Sequence, residues 1–254
     1  MQRTSAIVGI LWLAAAMGVG CGKKDKDKPK AKPVAETPVP AAEVPPEAPP
    51  RAGMPENTVS VFVAHEVEDF DKWKAAFDAH TEARKGAGAI WHSVSRDAEN
   101  ENKVYVHIVG TDVAKATAFL ESDDLKNVMQ EAGVKGKPEI SLANDVEIKS
   151  PENKIEGETF SIVLRHEVAD FDKWKVAYDA DEPRRKDEMT VIASSVSRAA
   201  DNENMVVLHF MVTDPAKVKQ AVESDELKKV MKEAGVKGPP QVAVARDVET
   251  SMYK

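Results

Sequence analysis

Val59-Ser60-Val61-Phe62-Val63-Ala64-His65-Glu66-Val67, followed after Glu68 by Asp69-Phe70-Asp71-Lys72-Trp73-Lys74, is the stretch that decides the fold. Its first part alternates, with Val59, Val61, Val63 and His65 on one face and Phe62 and Ala64 on the other. A strand apolar on both faces must be covered on both. Asp69 then has the chemistry of a helix N-cap. Phe70, Trp73, Phe77 and His80 fall on one helical stripe, which should end near Gly86–Gly88. Ile90 to Arg96 reads as a second strand, 97–102 as a turn, and Val104 to Val109 as a third strand pairing back in a hairpin. Asp112 caps a second helix carrying Ala116, Phe119 and Leu120, and Ser122-Asp123 restarts it with Leu125, Val128 and Met129. Gly133 ends it, and Ile140 to Val146 is the last strand. The order β-α-β-β-α-β is the split βαβ, or ferredoxin-like, pattern.

The pattern occurs twice. His166-Glu167-Val168 and Asp170-Phe171-Asp172-Lys173-Trp174-Lys175 repeat the opening, and Ser-Val-Ser-Arg recurs at 93–96 and 195–198. Asn-Glu-Asn recurs at 100–102 and 202–204, Glu-Ala-Gly-Val-Lys-Gly at 131–136 and 233–238, and Asp-Val-Glu at 145–147 and 247–249. Roughly half of the aligned positions are identical, with one residue inserted in the second copy before its second strand. This is a tandem duplication. It places one α+β domain at 58–149, a polar linker at 150–158, a second domain at 159–250 and a tail at 251–254.

The N-terminus follows a different logic. Arg3 precedes an apolar run from Ala6 to Met17, which stops at Gly18-Val19-Gly20-Cys21 and turns polar at Lys23-Lys24-Asp25-Lys26. A basic start, a short apolar core and small residues at the exit describe a secretory signal over 1–20. The run is shorter than the ~20 residues of a membrane-spanning helix. Gly-Val-Gly-Cys resembles the lipobox of bacterial lipoproteins, with Gly18 where that family has Leu. The resemblance implies cleavage before Cys21 and acylation of its thiol, and Gly22 (not Asp) in second place implies the periplasmic face of the outer membrane. The alternative is cleavage after Ala14-Ala15-Ala16 with a free thiol. Residues 21–57 are rich in Lys, Pro and Ala and lack periodicity, so they read as a solvated tether. At ~3 Å per residue it could span on the order of 100 Å.

The 254 residues carry 35 Lys and Arg, 43 Asp and Glu and a single Cys, for a net charge of −8. An acidic chain is a poor ligand for nucleic acid, and one cysteine excludes an intrachain disulfide.

The run from His65 through Trp73, with Arg96, Asn102 and Leu125 to Val134, resembles the dimeric α/β-barrel superfamily. Within it the match is to the small proteins grouped with antibiotic-biosynthesis monooxygenases. The resemblance covers each copy almost end to end and implies two ferredoxin-like units joined as a barrel. A sheet with helices on one side needs a cover on the other, and the sister copy is the nearest. The two copies are therefore expected to pair within one chain, the alternative being pairing between chains.

Six residues are candidates for a ligand pocket. His65 and His166 end the first strands, and His107 and His209 sit midway along the third strands, which neighbour the first in this topology. They could form a polar cluster for proton transfer or for a ligand such as haem. Alternatively they are half-buried histidines bonded to neighbours such as Glu66 or Ser93. Arg96 and Arg198 end the second strands and could orient an anion or pair with Asp145 and Asp247. Trp73 and Trp174 belong to the helix stripe and read as core. His80 and His92 have no metal-ligand spacing, so no metal site is expected. There is no phosphate loop, nucleophile elbow or His-Glu-x-x-His motif. The reading that follows is a membrane-anchored module binding a small apolar or amphipathic molecule in the barrel. The alternatives are a cofactor-free or haem-dependent oxygenase and an envelope scaffold without a ligand.

Overall fold

The computed structural model describes residues 54–55, 57–151 and 154–253. The expected signal, Cys21 and nearly all of the expected tether lie outside them. Eight strands and eight helices follow in the order β1 (Val59–Val67), α1 (Phe70–Ala79), α2 (Thr81–Gly86), β2 (Ala89–Asp97), β3 (Lys103–Gly110), α3 (Val113–Glu121), α4 (Asp123–Glu131) and β4 (Val134–Lys149). The order then repeats as β5 (Phe160–Val168), α5 (Phe171–Ala180), α6 (Glu182–Asp187), β6 (Val191–Ala199), β7 (Asn202–Val212), α7 (Pro215–Glu223), α8 (Asp225–Glu233) and β8 (Val236–Met252). The expected α+β class and the ferredoxin-like order are both present. Among the described residues no helix is long and apolar enough to cross a membrane.

The helix starts are where capping chemistry puts them. Asp69 accepts from the Lys72 amide and Asp170 from the Lys173 amide. Ser122 and Ser224 do the same for Leu125 and Leu227. Each such cap contributes ~1 kcal/mol. The first helix is broken at His80 into α1 and α2, where one continuous helix was expected. Gly133 takes φ +81, a conformation that favours glycine, and a Cβ there would lie 3.1 Å from a Glu68 carboxylate oxygen, which would have to give way.

The strands close into one antiparallel barrel in the order β1-β3-β2-β8-β5-β7-β6-β4. The sheets join at their edges: β2 pairs with β8, and β4 with β6. This explains why the last strands are far longer than the Ile140 to Val146 span expected. The first half of β4 pairs with β1, and its second half, from Ala143, pairs with β6 of the other copy. A strand of seven residues spans only ~23 Å and could not serve both partners. The segment 251–254, expected to be a tail, instead continues β8 through Met252, and the Tyr253 amide donates to the Ile90 carbonyl.

Two apolar cores lie between the sheet and the helices. Val61, Val63, Val67, Trp73, Val94, Val104 and Val106 form the first. Ile162, Leu164, Val168, Trp174, Tyr178, Phe210 and Val218 belong to the larger second. Inside the barrel the apolar cluster is small, with Phe62, Ala143 and Val207 and with Val163 against them.

Candidate functional site: the barrel lumen

Strand parity sorts the histidines. His65 pairs in register with Val104 and points toward the helices, while His107 pairs with Phe62 and points into the barrel. The two histidines of one copy therefore never meet. Across the copies they do: the His107 and His209 rings lie 4.9 Å apart, and Phe62 stacks on His107 at 4.2 Å.

Each luminal histidine is tied to a serine of its neighbouring strand. Ser60 Oγ lies 2.8 Å from His107 Nε2, and Ser161 Oγ lies 2.8 Å from His209 Nε2. Ser161 also donates to Asp247 Oδ1 at 2.6 Å. A carboxylate only accepts, and a hydroxyl has one proton. His209 Nε2 is therefore the donor to Ser161, which fixes the tautomer of that ring. Asp247 further accepts from Thr159 at 2.8 Å and from Ser95 of the first copy at 2.8 Å. Asp145 mirrors it, accepting from Thr58 and from Ser197 of the second copy, both at 2.7 Å. The two aspartates, absent from the candidate set except as partners for arginine, are polar bolts across the strand seams.

The lumen holds a cavity of about 360 Å³, lined by Phe62, Val163, Tyr105, His107, His209 and Arg165 among others. That lies within the ~300–1,000 Å³ of small-molecule sites. Its wall is more polar than an apolar ligand requires. Arg165 stands where the first copy has Ala64. Its Nε is buried and has no hydrogen-bond partner among the described residues. Sequence reasoning missed Arg165. The signal was available: a cation at luminal parity, one strand step beyond Val163.

His65 and His166 go elsewhere. They pack on Trp73 and Trp174, with ring centroids 5.4 and 5.6 Å apart. Both are buried, and among the described residues neither ring nitrogen of either has a hydrogen-bond partner. Desolvation lowers both pKa values to about 4, so both rings are neutral at pH 7. The alternative expectation, histidines bonded to neighbours such as Glu66 or Ser93, is not met at His65 and His166, whereas His107 and His209 are bonded to serines of the neighbouring strand.

Arg96 and Arg198 join neither set. Each donates through Nε to a hairpin carbonyl, of Glu101 and Glu203 respectively. Each guanidinium covers an aromatic ring, Phe70 at 4.2 Å and Phe171 at 4.3 Å. They lie on the half-exposed outer face because their strand position has helix-side parity, so pairing with Asp145 or Asp247 is excluded. His80 bonds Asp124 at 2.7 Å and His92 bonds Glu249 at 3.2 Å. The hydrogen bond from His92, with help from Lys74, holds the Glu249 carboxyl down at about 2. No cluster of three or more His, Cys, Asp or Glu side chains among the described residues could hold a metal.

The haem that the family resemblance admits lacks room in one histidine environment and a free Nε2 in the other. The pocket beside His166 is about 80 Å³, far below the ~300 Å³ lower bound for cofactor sites. In the lumen the histidine Nε2 atoms are engaged by serines. As folded, the residues present do not fit a histidine-held haem.

No family model matches the chain, and no curated protein matches it. Solved structures do. A protein from Fusobacterium nucleatum provisionally assigned as a monooxygenase superposes with a TM-score of 0.56 at 13% identity, covering 79% of this chain and 99% of the other. The chain has the dimeric α/β-barrel fold. A second provisionally assigned monooxygenase, from Lactobacillus acidophilus, gives 0.52 at 12% identity over 78% of this chain and 100% of its own. A mutant chlorite dismutase from Candidatus Nitrospira defluvii gives 0.51 at 10% identity over 76% and 93%. At such identities the shared property is the fold.

Proposed function

We propose that this protein is an exported lipoprotein, acylated at Cys21 and held at the periplasmic face of the outer membrane, whose barrel binds one small amphipathic molecule with an acidic group. The observation that carries the binding reading is Arg165. A buried guanidinium nitrogen with no hydrogen-bond partner among the described residues, facing a cavity, is costly unless a ligand acceptor completes it. Phe62 and Val163 offer the apolar part of such a ligand its contact. His209, held as a donor to Ser161, keeps the neighbouring wall polar. The Cys21 reading rests on the lipobox-like run, and two or more acyl chains would give a stable anchor.

Native mass spectrometry of the purified chain, followed by solvent extraction, tests the binding reading. A bound acid released by extraction, and lost in Arg165→Ala, is the expected result. Because Ala64 stands at the matching position of the first copy, that substitution is compatible with the local strand. Bare protein in both cases would turn the weight to the scaffold reading. Labelling with a fatty-acid probe, abolished in Cys21→Ser, tests the anchor.

An oxygenase-like activity is the second reading, favoured by the paired His107 and His209 rings on the cavity wall and by the monooxygenase-like structures that share the fold. Its test is oxygen uptake with the extracted molecule, lost in His209→Phe.

A further inference from the structure

The two copies differ most where the second strand begins. The first copy has Trp91, His92 and, at the end of β8, Tyr253. The matching positions of the second are Ala193, Ser194 and Pro151. An indole, an imidazole and a phenol are thus replaced by a methyl, a hydroxymethyl and a pyrrolidine. The second copy has a cleft of about 710 Å³ there, lined by Ala193, Ser194, Pro151, Thr213, Lys149 and Arg185 among others.

The guanidinium at this place was kept while the hydroxyl that it bonds in the first copy was replaced by Pro151. Arg84 in the first copy stacks on Phe77 at 3.6 Å, and its Nε donates to the Tyr253 hydroxyl at 2.6 Å. Arg185 stacks on Tyr178 at the same 3.6 Å and donates to the Tyr178 carbonyl. It is only 6% exposed, and its nearest carboxylate is Asp181 at 3.8 Å. Among the described residues no hydroxyl takes the place of Tyr253 at Arg185. An arginine this buried keeps a full charge and needs acceptors in its plane.

We propose that this cleft is a second binding site, separate from the lumen, for a small phenol seated as Tyr253 is seated in the first copy. Its ring lies in the space that Tyr253 takes beside His92 in the first copy, and its hydroxyl accepts from Arg185. The site stands independently of the luminal reading, since none of its named residues lines the cavity between His107 and His209.

The probe is p-cresol, the side chain of tyrosine, titrated into the full-length protein in detergent with toluene as the comparison. Methyl resonances of Ala193 and Thr213 report the location. Saturable shifts at both methyls, with cresol at least 10-fold tighter than toluene, are expected. Pro151→Tyr, which rebuilds the phenol of the first copy, should weaken cresol at least 10-fold, and Arg185→Lys should remove the preference for cresol over toluene. If Pro151→Tyr does not fold, the wild-type methyl shifts and Arg185→Lys still decide. Arg165→Ala should leave cresol binding unchanged, which separates failure here from failure of the luminal reading. Equal affinity for toluene, or shifts absent from Ala193 and Thr213, would overturn the proposal.

Discussion

The two faces of one sheet treat the same residue type in opposite ways. On the helix-covered face, His65 and His166 are packed under tryptophans and have no side-chain hydrogen bond among the described residues. On the luminal face, His107 and His209 are bonded to serines, and one of them is linked through Ser161 to an aspartate. The first pair behaves as core that happens to be titratable. The second belongs to a polar network that bridges the two copies. A histidine's role here follows from the face it occupies, and that is set by a single step in strand register.

The hardest test of the helix-covered face is removal of its tryptophans. Trp174→Ala should cost ~3–5 kcal/mol as a large-to-small change in a packed core. Trp73→Ala should fall at the lower end of that range, because the apolar core around it is smaller. Urea denaturation of the two variants compares them. Equal and negligible losses would mean that the helices do not depend on these rings.

Acid titration separates the faces next. The pKa of His65 and of His166 is lowered to about 4 in the folded chain, against 6.5 unfolded. The unfolded chain therefore binds more protons between these values. The stability due to neutral burial is complete above pH 6.5 and is lost as the pH falls through 6.5 toward 4. At about 1.4 kcal/mol per unit, each ring accounts for a few kcal/mol. His65→Phe with His166→Phe should flatten the melting temperature over that window. A wild-type melting temperature constant from pH 7 to 4 would contradict the burial of both rings. Glu249 acts at lower pH. Its carboxyl is held at about 2, so its contribution is present above 4.5 and lost as the pH falls toward 2, a loss that Glu249→Gln should remove.

The luminal network is probed at the seams. Asp247 accepts three side-chain hydrogen bonds, from Ser95, Thr159 and Ser161. Asp145 accepts from Thr58 and Ser197. Asp247→Ala should cost ~2–3 kcal/mol, and Asp145→Ala less, given ~1.5–3 kcal/mol for a bond to a charged group and partial rescue of the stranded hydroxyls. Thermal melts rank them, and the reverse order would break the assignment of Asp247 as the stronger bolt.

The smallest effect is expected at the arginines of the hairpins. Arg96→Ala or Arg198→Ala loses a cation–π contact and a carbonyl bond, about 1 kcal/mol at a partly exposed site. Neither should alter the mass of any bound molecule. A lost ligand with unchanged stability would restore them to the site.

Much of this was legible in the residues. The duplication, the order of elements, the caps at Asp69 and Ser122 and the core role of Trp73 and Trp174 are local, set by spacing of 2 or 3.6 residues and by side chains reaching their own backbone. The candidate site was legible only in part. His107 and His209 were named, but so were His65, His166, Arg96 and Arg198, which parity sends to the other face. Arg165, Asp145, Asp247 and Arg185 were overlooked as site residues because their partners lie on strands or helices remote in the chain.

By itself the sequence determined two copies of one ferredoxin-like order of elements, and it raised the expectation of an export signal and lipidation site at the N-terminus. Hydrophobic period, capping and composition act over a few residues, so a linear reading recovers them. Only the tertiary structure decided that β4 and β8 each cross into the other copy, that His107 meets His209, and that Ser194 and Pro151, in place of His92 and Tyr253, line a cleft beside Arg185. Each of these depends on which strand edges hydrogen-bond across the seams, and no property of a single segment encodes that choice.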